Sequence, residues 1–160
     1  MKNNFFYKKS KADVLKYLSN IKGSFFIPKT FSFTVNEWKK SKNKIYLELK
    51  KNFYNSKVAI RSSSREEDKI QESGAGKYVS VLNVKLFDKK NFFIGVNDVI
   101  RSYSKKNFLN QVIIQQMITN ISMSGVIFTK DIENGNDYYV INYDDVTGRT
   151  NTVTSGEGVY

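Results

Sequence analysis

The chain has 160 residues, 26 Lys+Arg against 15 Asp+Glu, 40% hydrophobic and 14% aromatic content, a single Pro, no Cys and no His. This apolar share fills a core at this length and excludes overall disorder, while the lack of Cys removes disulfides, thiolate nucleophiles and Cys-type zinc sites and reads as cytosolic. The lack of His excludes a Ser-His-Asp triad, a His-ligated metal and a phosphohistidine formed on this chain, leaving Lys, Arg, carboxylates, hydroxyls and backbone amides for any chemistry.

The N-terminus, Met1 to Lys9, is basic but lacks the apolar stretch of a secretory signal, and no apolar run approaches the roughly 18–20 residues of a membrane span. Residues 1–57 carry 14 Lys and 3 acids, the whole net charge of +11, whereas residues 58–160 balance. Most of the basic residues are Lys, which lacks the planar fork suited to reading base edges. A solvated helical face is therefore favoured over steering of a small anion, and both over a nucleic-acid or membrane surface. A short helix is predicted over 11–19 with Val14, Leu15 and Leu18 inward. Thr34-Val35-Asn36-Glu37 has the spacing of a capping box and opens a helix, or broken helix pair, over about 34–54, with Trp38, Ile45, Leu49 and Phe53 on one face.

After residue 57 strand signals dominate: near 57–61, 79–84, 111–117, 124–129 and 138–143, interrupted by a helix over 88–104 with Phe92, Val96, Val99, Ile100 and Tyr103 inward. Helices first and strands later argue an α+β fold rather than a doubly wound α/β one. The expected organisation is one domain over 1–160, with a basic helical part (1–57) and a strand-rich part (58–160). Most Phe and Tyr are expected in the core. Ser155-Gly156-Glu157-Gly158-Val159-Tyr160 follows a strand-like run with no closing helix, so the chain is expected to be the N-terminal portion of a longer protein.

Three segments suit a phosphate ligand. Strand 57–61 ends on Arg61 and then Ser62-Ser63-Ser64-Arg65, a guanidinium fork beside small donors; the alternative is local pairing of Arg61 with Glu66, Glu67 or Asp68. Ser73-Gly74-Ala75-Gly76-Lys77-Tyr78 lets backbone approach an anion near Lys77, but it is not a Walker A loop and by itself reads more readily as a turn. The third is the strand ending Gln115-Gln116-Met117-Ile118, followed by Ser124-Gly125-Val126-Ile127-Phe128-Thr129-Lys130-Asp131. Its backbone can read an adenine edge, with ordinary sheet core as the alternative.

In register, these segments resemble the N-terminal ATP-binding domain of phosphoenolpyruvate synthase and pyruvate phosphate dikinase. Val58-Ala59-Ile60-Arg61-Ser62-Ser63-Ser64-Arg65-Glu66-Glu67-Asp68 is similar to V-A-V-R-S-S-A-x-x-E-D. The stretch from Ser73 through Ala75-Gly76 and Ser80 to Leu82-Asn83-Val84 is similar to S-x-A-G-Q-x-E-T-x-L-N-V. Val112-Ile113-Ile114-Gln115-Gln116-Met117 resembles V-x-V-Q-x-M, and Ser124-Gly125-Val126-Ile127-Phe128-Thr129-Lys130-Asp131 resembles S-G-V-x-F-T-x-D-P. Upstream, Ser10 to Leu15 and Ile27-Pro28-Lys29-Thr30-Phe31 resemble G-G-K-x-x-x-L and the V-P-x-G-F turn. The chain departs from the pattern at Lys9-Ser10, Val79 and Ile132, and its 142–156 stretch is closer to a divergent branch associated with bacterial surface-polysaccharide (capsule) loci.

The resemblance implies an ATP-grasp-like fold in which two α+β lobes hold ATP and metal-bound phosphates. Arg61 and Lys11 would contact phosphates. The loop carrying Gly74, Gly76, Lys77 and Ser80 would cover them, with Ser62 and Asp131 in the nucleotide site, and Gln115, Gln116, Met117 and Ile118 would meet adenine. Asp144 and Asp145 are candidate Mg²⁺ ligands, with a solvated turn as the alternative. The implied function is the ATP-binding part of a dikinase-like phosphotransferase. It would pass phosphate through a histidine on a downstream domain to a small-molecule acceptor, pyruvate-like or an amino-acid amide. The rival reading is a non-catalytic module whose basic helical face docks an acidic partner or nucleic acid.

Overall fold

Each of the three helices among the described residues begins on an oxygen-bearing side chain. A computed structural model describes residues 9–64, 79–103, 107–131, 133–147 and 153. In helix α1, Lys11–Leu18, the Ser10 hydroxyl accepts the Asp13 backbone N–H and the Asp13 carboxylate accepts that of Ser10, both at 3.2 Å. Thr34 and Glu37 make the same reciprocal pair at the start of α2, Val35–Asn52, and Asp88 caps α3, Lys89–Arg101. These caps satisfy first-turn amides that have no partner within the helix. Helix α2 is kinked at Ser41, whose φ of -143° is not helical.

The strands are β1 (Thr30–Thr34), β2 (Lys57–Ser63), β3 (Ser80–Lys85), β4 (Gln111–Gln116), β5 (Ser124–Phe128) and β6 (Val140–Asp144). The chain forms two compact units, Met1–Met117 and Ile118–Tyr160. In the first, an antiparallel sheet runs β1-β4-β2-β3. The second contains the antiparallel pair β5-β6, in register from Ser124 opposite Asp144 to Phe128 opposite Val140. The mixture of helix and antiparallel sheet is the α+β class expected from the sequence.

Side-chain alternation divides the four-stranded sheet into two unlike faces. Phe33, Val58, Ile60, Val84, Val112 and Ile114 join Trp38, Tyr46, Leu49 and Phe53 of α2 and its end with Phe92, Val96 and Val99 of α3 in one core. Gly95 lets α3 approach this face closely, since a Cβ there would lie 3.0 Å from the Ile60 side chain. The Tyr46 hydroxyl donates to the Leu86 carbonyl at 2.6 Å, and burial followed by the nearby Asp88 charge pushes the phenol pKa up. The opposite face carries Thr30, Ser32, Gln111, Gln115, Arg61, Ser63 and Ser80 around the buried Ile113 and Ala59, as the strand registers place them.

Three expectations need correction. Residues 1–57 are not helical alone: Thr30-Phe31-Ser32-Phe33-Thr34 forms β1, an edge strand whose Phe31 and Phe33 enter the core. In α1 the buried residue is Ala12, while Val14, Leu15 and Leu18 are only half-buried, because the helix meets the sheet through its first turn. Many aromatics lie on the surface rather than in the core; Phe26, Tyr54, Phe87 and Tyr139 are each at least 73% exposed. They sit in connections or outside the buried helix faces, so helical spacing does not turn them inward.

Candidate functional site

Strand β2 carries the polar face of the sheet to its end. Val58, Ile60 and Ser62 turn to the helix-packed side, leaving Ala59, Arg61 and Ser63 on the other. Arg61 pairs with Ile113 of β4 on one side and Ser80 of β3 on the other. Its Nη1 donates to Gln115 Oε1 at 3.2 Å, the one hydrogen bond its side chain forms among the described residues. Beside it β3 is irregular: between the Val58–Val84 and Ile60–Val81 pairs it contains one extra residue, and Asn83 there has a φ of +59°. Asn tolerates that left-handed conformation better than most residues, and the bulge sets Ser80 opposite Arg61.

The first turn of α1 is tied to the same face. The Ala12 N–H donates to Ser63 Oγ at 2.9 Å, and Ser10 Oγ donates to Gln111 Oε1 at 2.5 Å. Lys11 lies between these two anchors with its side chain exposed. The end of β2 is fixed from its other side as well. The Ser63 N–H donates to the Tyr103 hydroxyl at 3.2 Å, and that hydroxyl donates to the Gln111 carbonyl. Ser64 Oγ donates to Asn110 Oδ1 at 3.2 Å, so the chain leaving β2 is held where the serines run.

The structure brings Arg61, Ser80 and Gln115 together and holds the start of the Lys11 helix to the strand end that carries Arg61. Ser62 is buried on the other face of the sheet, away from the Arg61 side chain. Gln116 and Met117 follow at the end of β4. Their N–H groups are taken by the carbonyls of Lys29 and Lys57, both at 2.9 Å, while Ile118 is exposed beyond them. Gly74, Gly76 and Lys77 lie outside the described residues, as do Glu66, Glu67 and Asp68, the proposed local partners of Arg61.

Two of the three acidic candidates, Asp131 and Asp144, are engaged in turns. Asp131 accepts from the Glu133 N–H at 2.8 Å and from Asn134 Nδ2 at 3.0 Å, closing a tight loop after β5. Asp144 Oδ1 accepts from the Val146 and Thr147 N–H groups at 2.9 and 2.8 Å, and its Oδ2 from the Thr147 hydroxyl. Asp145 is exposed beside it. Among the described residues no group of three His, Cys, Asp or Glu side chains is placed to hold a metal ion, and the Asp144–Asp145 pair does not make a preformed cage. No described helix is long and apolar enough to cross a membrane.

Sequence reasoning missed Thr30 and Gln111 as parts of this constellation and read Ser63 as a small phosphate donor, not as the anchor of α1. The signal for Thr30 was present in the strict polar/apolar alternation of Thr30-Phe31-Ser32-Phe33-Thr34, which is a strand pattern just ahead of the capping box.

Two comparisons bear on the chain. The family model for the AMP/ATP-binding domain of pyruvate phosphate dikinase matches residues 27–156, which include β1 through β6. No curated protein matches the sequence significantly.

Proposed function

From the premise that the chain belongs to the pyruvate phosphate dikinase AMP/ATP-binding family, we propose that it grips the phosphates of ATP with Arg61 and Lys11. The supporting observation is the posture of Arg61: an exposed guanidinium at the end of a buried strand, opposite Ser80 and braced by Gln115 at 3.2 Å. One edge of the fork is braced and the remaining N–H groups have no partner among the described residues, an arrangement suited to bidentate capture of phosphate oxygens. Lys11, on a helix start anchored by Ser63 and Gln111, supplies a second positive charge. In this reading Gly74, Gly76 and Lys77 approach the phosphates through backbone and a point charge, and the end of β4 from Gln115 to Ile118 faces the adenine.

The nucleotide enters as Mg·ATP, with the ion brought by the phosphates, since Asp131 and Asp144 are committed to turns and no described acidic group is placed to hold a metal. This chain's residues position the triphosphate and offset the charge that develops on its oxygens; they supply no nucleophile. In this reading, as the family resemblance implies, the phosphoryl group goes to a histidine of a further domain, since this chain has none of its own. There a P–O bond of the nucleotide breaks as a P–N bond forms, the shortened nucleotide leaves with the bridging oxygen and its electron pair, and the group passes on to a small molecule, pyruvate-like or an amino-acid amide. Water would divert the phosphoryl group, so positioning before transfer matters more here than acid–base chemistry.

A calorimetric titration tests the reading. Saturable binding of ATP that requires Mg²⁺, prefers adenine and changes little with salt supports it. Absence of ATP binding, with binding of single-stranded DNA that falls steeply as salt rises, would instead establish the basic helical face as a nucleic-acid surface.

A further inference from the structure

We propose that Thr30 is a positioning residue for the nucleotide site, setting the orientation of the Arg61 guanidinium through the Gln115 amide. The proposal rests on the phosphate-binding role argued above for Arg61. Four groups from three strands and the approach to β1 form one directed chain of hydrogen bonds. Arg61 Nη1 donates to Gln115 Oε1 at 3.2 Å, Gln115 Nε2 donates to Thr30 Oγ1 at 3.3 Å, and Thr30 Oγ1 donates to the Pro28 carbonyl at 2.7 Å.

The direction follows from the donor and acceptor inventory at its two ends. A carbonyl only accepts, so the single Thr30 proton is committed to Pro28 and Thr30 Oγ1 can offer only lone pairs to Gln115. The Gln115 atom facing Thr30 must therefore be the NH₂ group, which turns Oε1 toward Arg61. A guanidinium only donates, so this is the one amide orientation that satisfies both neighbours. Without the Thr30 hydroxyl the amide loses one of the two partners that fix its orientation and is held by Arg61 alone. When flipped, it presents N–H groups to a cation and releases Arg61 from the sheet.

The strand arrangement makes the relay direct. Thr30 is paired with Gln115 across the β1–β4 ladder, and Gln115 with Ala59, two residues before Arg61 on the same face of β2. Thr30 is half-buried, as is Gln115, while Arg61 is exposed. The hydroxyl thus acts from inside the structure on a group that faces solvent. Thr30 also stands where the V-P-x-G-F pattern has glycine, which has no hydroxyl to set this relay. The pinned Arg61 is accordingly a feature of this sequence rather than of the turn pattern it resembles.

The test compares Thr30→Ser, Thr30→Val and Thr30→Gly with the unaltered chain, reading Mg·ATP affinity by calorimetry, thermal stability, and the Gln115 side-chain amide by ¹⁵N NMR. Thr30→Ser keeps the hydroxyl and is expected to bind within twofold of the parent. Thr30→Val keeps the strand-favouring shape without the hydroxyl and is expected to weaken binding about three- to tenfold, to shift the Gln115 amide resonances and to speed their exchange with water. Thr30→Gly is expected to do the same with some loss of thermal stability, so Thr30→Val carries the decision. Unchanged affinity and an unmoved Gln115 amide in Thr30→Val overturn the proposal. Arg61→Lys, measured alongside, separates the two levels: if it leaves Mg·ATP affinity intact, the phosphate role itself has failed, whereas weakened Arg61→Lys with unaltered Thr30→Val removes Thr30 alone.

Discussion

The backbone N–H of Ala12 donates to the side-chain oxygen of Ser63 at 2.9 Å, across 51 positions of sequence and in a buried setting. This bond fixes the start of α1, and with it Lys11, to the strand that presents Arg61 two residues earlier. Two cations far apart in the sequence are thereby held near one end of β2.

Replacing Ser63 with Ala is therefore expected to free α1. The Ala12 amide would lose its partner, at a cost of about 1–3 kcal/mol for a buried donor left unsatisfied. Hydrogen exchange at Ala12 and through the first turn of α1 should accelerate, while the α2 and α3 amides keep their protection. Equal acceleration throughout the first unit would mean that the bond supports the whole core rather than α1.

The Thr34 capping box was legible in the sequence because it depends on neighbours, whereas the equivalent Ser10–Asp13 box went unread. Thr34 and Glu37 are three residues apart, and their reciprocal bonds need only local geometry. Strands β2 to β6 were also legible, as short runs of β-branched residues. What escaped notice depends on register between distant segments. β1 was hidden because it is five residues long and abuts the Thr34 cap directly, so the change of period from two to 3.6 has no spacer. Gln115 could be read as a strand residue, but not as the bridge between Arg61 and Thr30, since nothing local says which strands flank β4. Asp144 and Asp145 had the residue type of metal ligands, yet Thr147 and the following amides claim the Asp144 oxygens for a turn.

Glu37 gives a pH signature. Its hydrogen bonds to the Thr34 backbone and then to the Thr34 side chain lower its pKa from the usual carboxylate value, outweighing a small effect of burial. With the folded pKa below the unfolded one, the stabilisation is fully present above the unfolded pKa and is lost as pH falls through the folded pKa. Glu37→Ala should lower stability modestly, by about 0.3–1 kcal/mol at neutral pH for an exposed carboxylate in the first helical turn, and flatten the loss of stability on the acid side. An acid limb identical to that of the parent would show that the box contributes nothing to the pH dependence.

The lysines of α2 belong to a different surface. Lys39 lies 4.5 Å from the Phe108 ring centroid, Lys42 6.0 Å from Phe93 and Lys50 5.9 Å from Tyr46, all covering aromatic groups rather than the polar sheet face. Reversing the three charges together should lower the melting temperature modestly, since exposed cation–π contacts are worth roughly 0.5–1 kcal/mol each. Mg·ATP affinity should stay within a few-fold. A collapse of that affinity would assign these lysines to the nucleotide.

The most direct measurement is calorimetric titration of Mg·ATP into the parent chain and Arg61→Lys, beside melting curves of both. If the guanidinium fork grips phosphate, the parent binds saturably, and the substitution weakens binding by about 1–3 kcal/mol while the melting temperature is unchanged, because a point charge cannot reproduce two directed N–H contacts. Equal affinities, or a lowered melting temperature with affinity intact, would contradict this and make Arg61 a structural residue.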